Sequence, residues 1–173
     1  MQRRLVIITV VLAVIAGGST ALAAPLQGTR GPDNLVGTDA PDQINGRAGD
    51  DQIAGLGGPD QLRGGPGVDQ LRGGPGNDKL YGGPGADVLA GDAGNDALSG
   101  GLGADALLGG AGNDRIDATG GADDVVEGGD GRDTIRAVDG ERDRIGCGKG
   151  RDKVFADAID KVARDCEVVA RGS

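Results

Sequence analysis

From Asn34 to Phe155 the chain brings back one aliphatic residue at every ninth position. Leu35, Ile44, Ile53, Leu62, Leu71, Leu80, Leu89, Leu98, Leu107 and Ile116 keep this spacing, and Val125, Ile135, Ile145 and Val154 continue it. An aspartate stands two residues before each: Asp33, Asp42, Asp51, Asp60, Asp69, Asp78, Asp87, Asp96, Asp105, Asp114 and Asp123. Counted in the same frame, one extra residue near Glu127 and another near Ala137 precede Asp133 and Asp143, and Asp152 follows nine later. The residue between aspartate and aliphatic is mostly polar, as at Gln43, Gln52, Gln61, Gln70 and Lys79, and the one after the aliphatic varies. One consistently apolar position in such a run predicts a short strand with a single inward-facing side chain per unit.

Ahead of each aspartate lies a glycine-rich hexapeptide, as in Gly64-Gly-Pro-Gly-Val-Asp69. Glycines at its first, second and fourth positions suit a tight turn with close backbone approach. Turn and strand alternate, so two units make one coil and turns stack on two sides, ~4.8 Å apart as neighbouring strands are. On one side Asp69 then lies over Asp87 and Asp105; on the other, Asp60, Asp78, Asp96 and Asp114 form a second column.

Composition sharpens this picture. The chain has 173 residues with 37 glycines, one Phe, one Tyr, and neither Trp nor His. A core of one aliphatic per nine residues is thin, and glycine loses the most backbone freedom on folding. The net charge of −9 leaves no basic face for nucleic acid. Two carboxylates ~5 Å apart repel by about 3 kcal/mol at an effective dielectric of 20, which repeated along both columns would open the coil. A cation between successive turns reverses that sign. Calcium suits carboxylate and carbonyl oxygens in a flexible shell better than magnesium, and the lack of histidine argues against softer metals.

The units Gly64–Arg72, Gly73–Tyr81, Gly82–Ala90, Gly100–Leu108 and Gly109–Asp117 resemble the RTX, or haemolysin-type, calcium-binding nonapeptide GGxGxDxUx. The resemblance covers about residues 28–155. It implies an all-β parallel β-roll, a right-handed β-solenoid with two nonapeptides per coil, folded only when calcium is present. The implied ligands are the carboxylates of Asp42, Asp51, Asp60, Asp69, Asp78, Asp87, Asp96, Asp105, Asp114, Asp123 and Asp133. Backbone carbonyls complete the set: Gly64, Gly65 and Gly67; Gly73, Gly74 and Gly76; Gly82, Gly83 and Gly85; Gly100, Gly101 and Gly103; Gly109, Gly110 and Gly112. Departures mark weaker sites. The first two units, Gly28–Asp33 and Gly37–Asp42, lack the second glycine, as suits an end coil; Asp92 takes a second position, and Ala118 and Thr119 replace leading glycines.

Residues 1–24 read as a secretory leader, with Arg3 and Arg4 before an apolar stretch and Ala21-Leu22-Ala23 as the cleavage signal. A secreted or extracellular protein without stable membrane insertion is expected, with association to the cell surface as the alternative. Residues 25–146 form the repeat body, and 147–173 the last repeat and a cap closed by a Cys147–Cys166 disulfide. Phe155 is expected to cover the exposed aliphatic edge of the last coil. No histidine and no GxSxG are present, so an enzyme is not expected. The function expected is binding of multiple calcium ions that drive folding. The alternative is a calcium-stiffened adhesion or scaffold module displaying the seventh and ninth positions, for which no protein or surface partner is indicated.

Overall fold

A computed structural model describes residues 25–121 and 123–171; the expected leader, 1–24, lies outside them. The described residues contain seventeen strands and no helix. One parallel sheet holds the odd-numbered strands in order: β1 (Leu26–Gln27), β3 (Gln43–Asn45), β5 (Gln61–Arg63), β7 (Lys79–Pro84), β9 (Ala97–Leu102), β11 (Arg115–Asp117), β13 (Thr134–Ala137), β15 (Lys153–Ala156) and β17 (Val168–Arg171). The other holds the even-numbered strands: β2 (Asn34–Val36), β4 (Gln52–Ala54), β6 (Gln70–Pro75), β8 (Val88–Ala93), β10 (Ala106–Ala111), β12 (Val125–Gly131), β14 (Arg144–Gly150) and β16 (Lys161–Val162). Every strand pairs with the one two places on, so the chain winds as a β-solenoid of about eight turns, as a parallel β-roll does.

The expected aliphatic positions meet in one core. Leu71, Leu89, Leu107 and Val126 are successive partners in one sheet, and Leu62, Leu80, Leu98 and Ile116 in line with them in the other. All are buried, and Leu26 and Val162 pack against the two ends of the core. Strand alternation turns more than one residue inward, however. Within each unit the sixth, eighth and next first positions are buried while the seventh and ninth face out. The interior therefore carries an aspartate, an aliphatic and a small residue per unit, where sequence predicts the aliphatic alone. Glycine has no side chain with which to announce burial.

The glutamine series divides between opposite faces, Gln43 beside Gln61 on one and Gln52 beside Gln70 on the other. Phe155 sits on β15 beside Arg136, 41% exposed, in a shallow groove with Arg115 and Val138, and does not cover the last coil. The 146/147 boundary falls inside β14, and the coil continues through β15, β16 and β17.

Backbone demands explain the second glycine. Gly65, Gly74, Gly83 and Gly101 have φ between 104° and 120°, a region costing other residues about 1–2 kcal/mol. Leu56 holds this position at φ 79°, with its side chain substantially exposed. Leu56→Gly is therefore expected to stabilise the folded protein by about 1 kcal/mol, the added unfolded-state freedom offsetting part of the relief. A urea midpoint in millimolar calcium that falls or stays unchanged would contradict this.

Candidate metal centres

The sixth-position aspartates form two inward columns, one beside each sheet, and each is tied to the next by its own backbone. The amide of Asp51 donates to Asp69 Oδ1, that of Asp69 to Asp87 Oδ1, and that of Asp87 to Asp105 Oδ1, each at 2.8 Å. On the other side the amides of Asp60, Asp78 and Asp96 donate to Oδ1 of Asp78, Asp96 and Asp114, also at 2.8 Å. One oxygen of every carboxylate is thus committed to the coil preceding it.

The other oxygen is not. Oδ2 of Asp51, Asp60, Asp69, Asp78, Asp87, Asp96, Asp105, Asp114, Asp124, Asp133, Asp143 and Asp152 is buried without a hydrogen-bond partner among the described residues. Burial pushes the carboxyls of Asp51, Asp60, Asp69, Asp78, Asp87, Asp96, Asp105, Asp114, Asp124, Asp133 and Asp143 upward from their ordinary value, with neighbouring carboxylates adding to the shift in several. Asp60, Asp87, Asp96, Asp124 and Asp133 rise to about 6, and Asp143 to about 7. Buried charges without partners are rare because each leaves its desolvation uncompensated.

What surrounds the unpaired oxygen is carbonyl oxygen. The turn folds back so that the first glycine's Cα lies beside Oδ2 of the same unit's aspartate, with a carbonyl of the following coil on its open side. A Cβ built on Gly82 would lie 2.6 Å from Gly100 O and closer still to Asp87 Oδ2; Gly91 is placed likewise between Gly109 O and Asp96 Oδ2. Gly64 O and Gly73 O converge in the same way on Asp51 and Asp60. Carbonyls of second and fourth positions, such as Gly65, Gly67, Gly83, Gly85 and Gly103, instead point along the stack at the matching glycine of the next coil. First-position carbonyls also hold the stack together, as where the Gly65 amide donates to Gly82 O at 2.9 Å. No group of three or more metal-ligating side chains comes together among the described residues. A cation here would take carboxylate from the column and the rest of its shell from backbone oxygen. That chemistry suits a hard divalent ion, and the orphaned oxygens fit one.

Not every expected ligand is placed as sequence suggests. Asp123 is exposed; its neighbour Asp124 is buried, receives the Asp105 amide at 2.8 Å and donates its own to Asp143 Oδ1. The extra residue therefore lies in the turn before Asp124, not near Glu127. Val126, not Val125, enters the core, Val125 remaining 41% exposed. Asp42 stands in its column, but Thr38 donates to its Oδ2 from both amide, at 2.6 Å, and hydroxyl, at 3.0 Å. Thr29 does the same for Asp33. At the far end the columns run on through two residues outside the expected ligand set. Asp160 Oδ1 receives the Asp143 amide at 3.0 Å, and Glu167 Oε2 receives that of Asp152 at 2.8 Å. Asp160 carries the usual signal, an aliphatic two residues later; Glu167 carries none, because the spacing has shortened and the residue type has changed.

Cys147 and Cys166 form the expected disulfide, with Cα atoms 5.2 Å apart. Cys147 occupies a first position of a unit, and its carbonyl stands beside Asp133. The bond closes a loop of 19 residues, for which the chain-entropy estimate is about 3 kcal/mol.

Stacked acidic turns with free carboxylate oxygens, wound on two parallel sheets, define a cation-binding β-solenoid. The chain belongs to the RTX calcium-binding nonapeptide repeat family: the profile of that family, built of four copies of the repeat, matches residues 27–62, 63–98, 91–125, 99–135 and 119–141. A search of curated proteins finds no relative that matches the chain.

Proposed function

We propose that this is a secreted, non-catalytic protein whose work is to bind several calcium ions between successive turns and to fold as it does so. One observation carries the reading: both columns bury carboxylate oxygens that nothing among the described residues satisfies. Asp51, Asp60, Asp69, Asp78, Asp87, Asp96, Asp105, Asp114 and Asp133 would hold the ions with first-position carbonyls such as Gly64 O and Gly100 O. When bound, calcium supplies positive charge where burial and neighbouring carboxylates have raised the cost of the folded state. The protein's own part is to place the carboxylates, fixing Oδ1 by the amide of the preceding coil so that Oδ2 is presented toward the next. Export is supported by the leader-like first 24 residues and by the disulfide, which belongs in an oxidising compartment. Export would also carry the chain from low to high calcium, leaving it unfolded until outside.

Calorimetric titration of the chelated, leaderless protein tests this directly. Several calcium ions are expected to bind per chain, with heat evolution and a strand spectrum growing together; binding of fewer than two ions, or binding without a structural change, would reject the reading.

A further inference from the structure

We propose that the residue at the first position of each unit decides whether that unit can hold calcium: glycine leaves room for the ion's oxygen cradle, whereas Ala118, Ala137 and Cys147 fill it. This rests on the calcium reading above and divides the roll. Loading would run from Asp51 to Asp114 and include Asp133, while Asp124, Asp143 and Asp152 would stay empty.

The first-position glycines are not needed for backbone conformation. Gly46, Gly55, Gly64, Gly73, Gly82, Gly91, Gly100 and Gly109 all lie outside the left-handed region, so an L-residue could take their φ. What excludes a side chain is space. A Cβ at any of these glycines falls within 3 Å of the same unit's Oδ2, so that the carboxylate would have to shift, and at most of them a carbonyl of the following coil also lies within 3 Å. At Gly128, ahead of Asp133, the two distances are 2.7 Å to Oδ2 and 2.6 Å to Cys147 O. Glycine is thus kept where carboxylate and carbonyl must face each other with nothing between.

Beyond Gly109 the position changes. Ala118, Ala137 and Cys147 are as deeply buried as the glycines they replace, at 0–1% exposure, and each carries a Cβ on the inward side. The turn before Asp124 is also one residue longer, and a Cβ on Gly121 would meet both oxygens of that carboxylate, at 2.9 and 3.2 Å. At the outermost coils hydrogen bonds do the same work. Thr29 and Thr38 occupy Oδ2 of Asp33 and Asp42, and the Asp157 amide occupies Oδ2 of Asp160 at 2.6 Å. The Cys147–Cys166 bond lies in the region that forgoes metal, fastening covalently what calcium fastens elsewhere.

The test counts calcium ions on the intact, disulfide-bonded protein by native mass spectrometry at saturating calcium, with circular dichroism confirming that each variant is folded. Asp124→Asn and Asp143→Asn are expected to keep the wild-type count. Asp87→Asn is expected to lose at least one ion, and so is Gly82→Ala, which leaves every carboxylate in place. Loss of an ion from Asp124→Asn or Asp143→Asn overturns the division, as does a full count in folded Gly82→Ala. Should Gly82→Ala fail to fold, the three asparagine variants decide alone. A wild-type chain that takes up no calcium would remove the underlying reading itself, an outcome distinct from calcium bound without regard to these positions.

Discussion

In excess EDTA at neutral pH the purified, leaderless chain is expected to lose its strand spectrum and its cooperative melt, and to regain both in millimolar calcium. The opposing contributions are of similar size within every unit. Burying one aliphatic stabilises by roughly 1.5–3 kcal/mol. Leaving a buried polar atom unsatisfied costs about 1–3 kcal/mol, and more when it is charged. All twelve orphaned aspartates stand two residues before a buried core aliphatic, so gain and penalty recur together along the roll. Little is left to offset the ordering of a chain with 37 glycines. Cations alter only the unfavourable member of each pair, which is why their removal is expected to abolish the fold and not merely lower its stability. Far-UV circular dichroism with a thermal scan, in EDTA and then in calcium, measures this. A compact, cooperatively melting protein in EDTA would show that the orphaned oxygens cost far less than supposed.

The solenoid and its two acidic columns are legible in the sequence because each rests on a side chain recurring at a fixed interval. The aliphatic row needs no structure to be seen, and from Asp33 to Asp114 the carboxylate row is equally plain. Trouble begins where two frames are satisfied at once. Asp123 and Asp124 are adjacent, and so are Val125 and Val126, so a count of nine lands on an acceptable pair in either frame. Only stacking decides, because the Asp124 amide must meet Asp143 Oδ1 and the Val126 side chain must align with Leu107 and Ile145. The first two units are readable as an end coil, but what closes their carboxylates is hidden for another reason. Thr29 and Thr38 look like lapses from a glycine pattern until their hydroxyls are found on the carboxylates that elsewhere stand free. Glu167 completes a column with a longer side chain at a shorter interval, which no periodic reading detects.

Acid is expected to substitute in part for calcium. In calcium-free protein, lowering the pH from 8 to about 5 is predicted to restore a strand signal that is absent at neutrality. The sign follows from the direction of the shifts. Asp60, Asp87, Asp96, Asp124 and Asp133 are raised to about 6 and Asp143 to about 7 in the folded chain, first by burial and then by the column's other carboxylates. In the unfolded chain an aspartate titrates near 3.9. Above about pH 7 both states are ionised and the folded state bears the full penalty. As pH falls through 6 the folded state takes up protons while the unfolded one does not, so stability rises; below about 4 both are protonated and no more is gained. Protons and calcium compete for the same oxygens, yet each favours the folded state over the unfolded one, so the calcium concentration at the folding midpoint is expected to fall as pH drops across this window. Circular dichroism of calcium-free protein between pH 8 and 4.5, with sedimentation to exclude aggregates, reads the first effect, and calcium titrations at pH 7.5 and 5.5 read the second. A spectrum that stays disordered throughout, with a calcium midpoint indifferent to pH, would mean that the buried carboxylates are not what keeps the metal-free coil open.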